Sequence, residues 1–91
     1  MQFDWDEGNK HKSLTKHGIG VEEAESVFAS PFKFYYRIHQ RAPEFRYLCL
    51  GVSKRNRLLS VVFCFRKGKV RIISARKANK NEKRRFEEKS S

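Results

Sequence analysis

Ninety-one residues with a formal net charge of +11 fit one small domain spanning 1–91 and no more. Hydrophobic residues make up 38% of the chain, including eight Phe, three Tyr and Trp5, which is enough for a single core and too much for a disordered basic tail. The longest mainly apolar stretch, Leu58 to Phe65, is far too short to span a bilayer, the opening MQFDWDEGNK has no apolar secretory region, and two cysteines do not make a disulfide framework. Cys49 and Cys64 lie inside apolar runs and read as buried, reduced thiols of a cytoplasmic protein.

The charge is unevenly placed. Residues 1–30 carry three lysines against six acids, whereas residues 31–91 carry eighteen Lys and Arg against four acids, a local excess of +14. A field of one sign over half a domain attracts polyanions: nucleic acid, a ribosome or an acidic protein.

In chain order, Gln2–Trp5 reads as a short strand, and Asp6 can cap a helix over Glu7–His17 that Gly18 ends. That helix is polar, with Leu14 its only aliphatic anchor. Gly20 opens a second helix, VEEAESVF, with Val21, Ala24, Val27 and Phe28 on one face and acids in its first turn; Ser30-Pro31 stops it. Phe32–Ile38 fits either a strand or an extended loop, and Gln40–Pro43 is a connection. Phe45–Val52 alternates as a strand does, Ser53–Arg57 is a polar hairpin loop, and Leu58–Arg66 sets Leu59, Val61, Phe63 and Phe65 on a core-facing side. Lys67-Gly68 signals a tight hairpin before the strand Val70–Arg76. Asn79, with Glu82 three residues on, has capping-box spacing and starts a last helix that buries only Phe86. Strand, two helices, a meander of strands and a final helix make an α+β domain, and the short strand connections imply an antiparallel sheet of three to five strands.

The usual catalytic motifs are absent: no phosphate-binding Gly-rich loop, no CxxC, no HExxH, and no pair of the three histidines at helical metal-ligand spacing. No cofactor or metal is expected. Arg46, Arg66, Arg71 and Arg76 instead interrupt apolar strands near their ends. Arginine stays charged at any working pH and grips phosphate oxygens with two prongs, so several on one sheet face could clamp a scissile phosphate. RNA brings its own nucleophile, the 2′-OH, leaving the protein to position and neutralise the phosphate and to move protons. Glu44, His39, Tyr47 and His17 are the possible proton handlers, although His17 at a helix C-terminus fits a structural cap better. The competing reading makes the arginines ion-pair partners of Glu44, Glu82, Glu87 or Glu88. Strand alternation points Arg71 and Arg76 to opposite faces unless a bulge intervenes; on opposite faces one of them is structural, and Arg71 is the one expected to be. The run from Phe32 to Arg37 interleaves aromatics with bases, as RNA-stacking surfaces and half-buried edge strands both do.

Several pieces then line up in order: FDWDE (3–7), KHG (16–18), VEEAESVF (21–28), the ExR of Glu44–Arg46, RLLSVVF (57–63) and RIISARKANKNEKRRFEE (71–88). Together they resemble the BrnT family of type II toxins over nearly the whole chain, with Ser30-Pro31 where the family usually has Asp-Pro. The resemblance implies a RelE-like fold and an endoribonuclease that arrests growth by cutting RNA without metal. By position it implies Arg46, Arg66 and Arg76 as phosphate clamps, with Glu44 as base or positioner, and Arg71, Lys83, Arg37 and Tyr47 as RNA contacts. It further implies RNA, free or ribosome-associated, as substrate, and a BrnA-like DNA-binding antitoxin through which alone the toxin would meet operator DNA; no membrane is involved. The alternative is a non-catalytic module that uses the same charge only to bind nucleic acid or an antitoxin.

Overall fold

The computed structural model describes residues 1–39 and 45–90. Strand β1 (Phe3–Trp5) leads into helices α1 (Glu7–His17) and α2 (Val21–Ala29), followed by strands β2 (Lys33–His39), β3 (Arg46–Val52), β4 (Leu58–Arg66) and β5 (Lys69–Lys77) and by helix α3 (Lys80–Ser90). The expected Gln40–Pro43 connection and Glu44 lie outside the described residues.

Local chemistry sets the element ends. The Asp6 carboxylate accepts from the backbone N–H groups of Gly8 and Asn9 at 2.9 and 3.3 Å, capping α1. At its other end Gly18 takes φ +69° and donates to the Leu14 carbonyl, a conformation that favours glycine. The Asn79–Glu82 capping box closes as its spacing predicts: the Glu82 N–H donates to Asn79 Oδ1 at 2.8 Å, and the Asn79 N–H donates to Glu82 Oε1 at 2.9 Å. The ambiguous stretch after Pro31 is a strand. Its entry packs so closely on β3 that a Cβ at Gly51 would sit 2.7 Å from Lys33 Cβ and 2.8 Å from the Phe32 carbonyl oxygen.

The strands form one sheet in the order β1-β5-β4-β3-β2. The four consecutive strands are antiparallel as expected, but β1 pairs parallel to β5, with Phe3 opposite Val70 and Trp5 opposite Ile72. The sheet is therefore mixed. The short connections that force antiparallel neighbours exist only from β2 onward, whereas β1 is joined to the rest through two helices.

Both sheet faces are covered, unequally. Helices α1 and α2 lie over a core of Ile19, Ala24, Val27, Phe28, Cys49, Leu59, Val61, Phe63, Val70, Ile72 and Ala75. Helix α3 covers part of the other face, where Phe86, Tyr36 and Leu58 pack on Leu48, Leu50 and Ala78. The β4–β5 register slips between Val62 and Phe63, so that Ile73 is an extra residue in β5.

Two core expectations are corrected. Leu14 is 56% exposed, and the anchor of the α1 region is Ile19, fully buried in the α1–α2 link. Phe65 is 63% exposed although it continues the Leu59–Val61–Phe63 row. The helical layer reaches Phe28, which meets Phe63 edge-on at 5.0 Å, and β4 runs past it. Cys49 and Cys64 are free, buried thiols, and burial pushes the Cys49 thiol up to about 12, leaving it protonated and no nucleophile at neutral pH. Among the described residues no helix is long and apolar enough to cross a membrane.

Ile19→Ala removes a fully buried side chain and should lower unfolding free energy by about 2–4 kcal/mol, whereas Leu14→Ala should stay within about 0.5 kcal/mol; urea denaturation of both variants checks the contrast.

Candidate nucleic-acid interface

The register decides where each arginine points. Residues paired across an antiparallel sheet share a face, so Arg71 opposite Cys64 and Arg76 opposite Ser60 both lie on the α3 side, the extra Ile73 having restored the phase between them. Arg66 is on that face as well, paired with Lys69. Arg46 stands one step beyond the Tyr47–Phe63 pair, which sets it beside Cys64 and in line with Arg71. Arg46, Arg66, Lys69 and Arg71 thus gather at the β4–β5 hairpin end. Arg76 lies four residues further along β4, roughly 13 Å away at the rise of a strand.

The four arginines differ in what holds them. Arg71 donates to Asp4 at 2.8 Å and lies 3.6 Å from Asp6, so it ties β5 to β1 and the start of α1. Arg76 makes two parallel bonds to Glu82, at 2.8 and 2.9 Å. Arg46 and Arg66 are exposed, with no ion-pair partner among the described residues. The ion-pair reading therefore applies to Arg71, with Asp4 and Asp6 as partners, and to Arg76 with Glu82; among the described residues it finds no partner for Arg46 or Arg66, and Glu44 lies outside them.

Glu82 is the hub beneath α3. It is 9% exposed, accepts from Arg76 and from Ser60 Oγ at 3.1 Å, and completes the α3 cap. Burial acts to raise its pKa, but the bonds from Arg76, the Asn79 N–H and Ser60 outweigh burial and hold the carboxyl below its ordinary value. A second buried acid, Glu23 on α2, takes two bonds from Arg57 and one from Ser53 Oγ at 2.7 Å, which hold its pKa down and fasten α2 to the β3–β4 hairpin.

The remaining candidates separate. Lys83 is exposed on α3 next to Glu82. His39 pairs through its backbone with Arg46, which places it at the arginine-rich end of the sheet. His17 is at the opposite end, beside Gly18, whose carbonyl accepts from Arg57 at 3.3 Å. Arg37 and Tyr47 face one another on β2 and β3 but belong to the α1–α2 side: the Arg37 guanidinium lies 6.0 Å from the Tyr47 ring centre and 5.7 Å from that of Phe45, and Tyr47 stacks on Phe63. That side also holds an open cleft of about 260 Å³ lined by Phe28, Tyr35, Tyr47, Phe63, Phe65 and Val70, with Met1 at its edge.

The sequence offered Glu82 both as a cap and as one of four acids that could pair with the strand arginines, and the Arg76 pair bears that out, whereas it gave Glu23 only a place in the first turn of α2. The signal for Glu23 was available, since it lies four residues before Val27 on the apolar face of its helix. The Asp4–Arg71 pair had none, because it depends on the β1–β5 register.

The domain is a small mixed-sheet α+β fold with exposed arginines, unpaired among the described residues, on a half-covered sheet face, a charge layout that attracts polyanions. The sequence profile of the family described as ribonuclease toxin, BrnT, of type II toxin–antitoxin systems matches residues 5–82, and the chain belongs to that family. Its fold is similar to that of the Brucella abortus ribonuclease toxin BrnT, solved at 1.1 Å, with a TM-score of 0.66 and 20% identity over 88% of this chain and 99% of that one. No curated protein matches in sequence.

Glu82→Gln should destabilise the fold by about 1–3 kcal/mol at neutral pH, towards the lower figure because Arg76 is a third exposed. The folded-state pKa of Glu82 lies below the 4.5 of a free carboxyl, so its stabilisation is complete above about pH 4.5 and is lost as pH falls through the lowered value. Melting temperatures of wild type and variant should therefore converge in acid.

Proposed function

We propose that this toxin is a metal-independent endoribonuclease that receives RNA on the α3 side of its sheet, at the end that carries Arg46 and Arg66. The observation that carries this reading is that these two arginines are exposed and unpaired among the described residues, on the one face where four strand arginines meet. A guanidinium already held by a carboxylate must give up that bond to take a phosphate, whereas no carboxylate among the described residues holds Arg46 or Arg66. Arg71 and Arg76 then act mainly as braces, Arg71 fixing β1 and Arg76 fixing α3, and they add positive field behind the contact residues. Lys83, on the exposed side of α3, extends the basic track.

The chemistry needs no protein nucleophile. A base removes the proton from the 2′-OH, the oxygen attacks the adjacent phosphorus, and the bond to the 5′-oxygen breaks as an acid returns a proton to it, leaving a 2′,3′-cyclic phosphate and a 5′-OH. Arginines at the non-bridging oxygens stabilise the extra charge of the five-coordinate intermediate. Glu44 and His39 are the proton carriers favoured by position: Glu44 precedes Arg46 by two residues in the chain, and His39 pairs with Arg46 across the strands. The layout is read as RelE-like, the compartment as the cytoplasm, and the inhibitory partner as a DNA-binding antitoxin of the BrnA kind that brings the toxin to operator DNA.

Purified protein incubated with RNA in excess EDTA should yield products ending in 2′,3′-cyclic phosphate. Arg46→Ala and Arg66→Ala should each slow that cleavage by about 10²–10³-fold while melting as wild type does. Salt-dependent RNA binding without any cleavage, of free or ribosome-bound RNA, would make the chain a binding module instead.

A further inference from the structure

The cleft on the α1–α2 side is not used by the proposed reaction. Its walls are rings and aliphatic groups, and the only polar atoms its side chains bring are the hydroxyls of Tyr35 and Tyr47 and the thioether of Met1. Phe65 is 63% exposed, Tyr35 50% and Met1 80%, around a floor of buried Phe28, Phe63 and Val70. The rings are already held edge-to-face: Tyr35 on Phe63 at 6.0 Å, Tyr47 on Phe65 at 5.6 Å, and Phe65 on Phe63 at 5.7 Å. A preformed apolar hollow that keeps its aromatic wall in water is a recognition feature rather than a packing defect.

Three observations say what fits it. The volume of about 260 Å³ is that of one large aliphatic or aromatic side chain with some backbone, and the lining offers almost nothing to the donor and acceptor edges of a nucleobase, which would be buried unpaired. The rim is cationic: Arg37 lies over Tyr47 and Phe45 with no carboxylate partner among the described residues, and the β4–β5 turn two residues past Phe65 carries Lys67. Beside the cleft, β2 is the last strand of the sheet, so its outer backbone edge is open to a further strand among the described residues.

We infer that this cleft is the docking site of the antitoxin, which lays an acidic segment along the β2 edge, sets one large apolar side chain among Tyr35, Tyr47, Phe63 and Phe65, and places a carboxylate on Arg37. The inference rests on membership of a toxin–antitoxin family for the existence of the partner, and on the cleft alone for its position. It separates two surfaces. RNA meets the arginines on the α3 side, and the antitoxin is anchored on the α1–α2 side, reaching the arginines only by continuing around the sheet end near the β4–β5 hairpin.

The test takes the whole toxin, the product of the reading frame adjoining its gene as the probe, and calorimetric titration of one with the other. Phe65→Ser and Tyr35→Ser, both at exposed positions, should each weaken the complex by about 10-fold or more, as loss of a central aromatic anchor does. Both variants should keep wild-type circular dichroism and melting, and their RNA cleavage without the partner should stay within about twofold. Binding unchanged in both variants overturns the proposal, and a loss of cleavage in its place would give the cleft to unpaired bases of the RNA. Failure of the wild type to bind the probe at micromolar concentrations also overturns it, while cleavage in the partner-free assay reports separately on the ribonuclease reading.

Discussion

No arginine can lie in the core between the sheet and α2, where Val61, Phe63 and Ile72 are at most 3% exposed, and that prohibition shapes the rest of the molecule. The β5 sequence places Arg71 and Arg76 five residues apart, an odd spacing that a regular strand would resolve by sending one of them inward. The extra residue at Ile73 removes the conflict. Val70, Ile72 and Ala75 all reach the core, and both arginines emerge on the opposite face, in line with Arg46 and Arg66. One inserted residue thereby converts a strand with mixed signals into a sheet with an apolar side and a basic side.

The basic side then needs carboxylates where helices and strands must be held close to it. Asp4 meets Arg71 at the β1 edge, joining strands 67 residues apart in the chain, and Glu82 meets Arg76 under α3, tying the helix to the strand it follows. Glu82 also caps its own helix, so the position of α3 and the state of Arg76 are fixed by one group. On the α3 face, Arg46 and Arg66 at the uncovered end of the sheet have no ion-pair partner among the described residues. The proposed RNA site rests on this division between braced and unbraced arginines.

Much of this was legible in the sequence because it is written locally. The α1 cap at Asp6, the glycine stop at residue 18, the capping box at Asn79 and Glu82 and the Lys67-Gly68 turn each lie within a few residues and fold as read. The two failures in core assignment have a common cause. Leu14 is the lone aliphatic residue of a polar helix and Phe65 continues an apolar row, but neither residue type nor periodicity reports whether another element extends far enough to cover the position. The parallel β1–β5 pairing, the bulge and the assignment of Arg37 and Tyr47 to the face away from the other arginines all depend on strand register over long separations, which no local pattern carries. For the candidate site, the residue types were legible; which of them are braced by acids was not.

The proposed RNA site, on the α3 side of the sheet at its Arg46–Arg66 end, is tested most directly by titrating isotope-labelled toxin with an oligonucleotide whose 2′-hydroxyls are all methylated, so that it cannot be cut, and following the backbone amide resonances. The largest shifts are expected at Arg46, Arg66 and their neighbours in β3, β4 and β5, disappearing at high salt. Shifts confined to α1, α2 and the aromatic cleft, with the arginine-bearing strand ends unmoved, would contradict it.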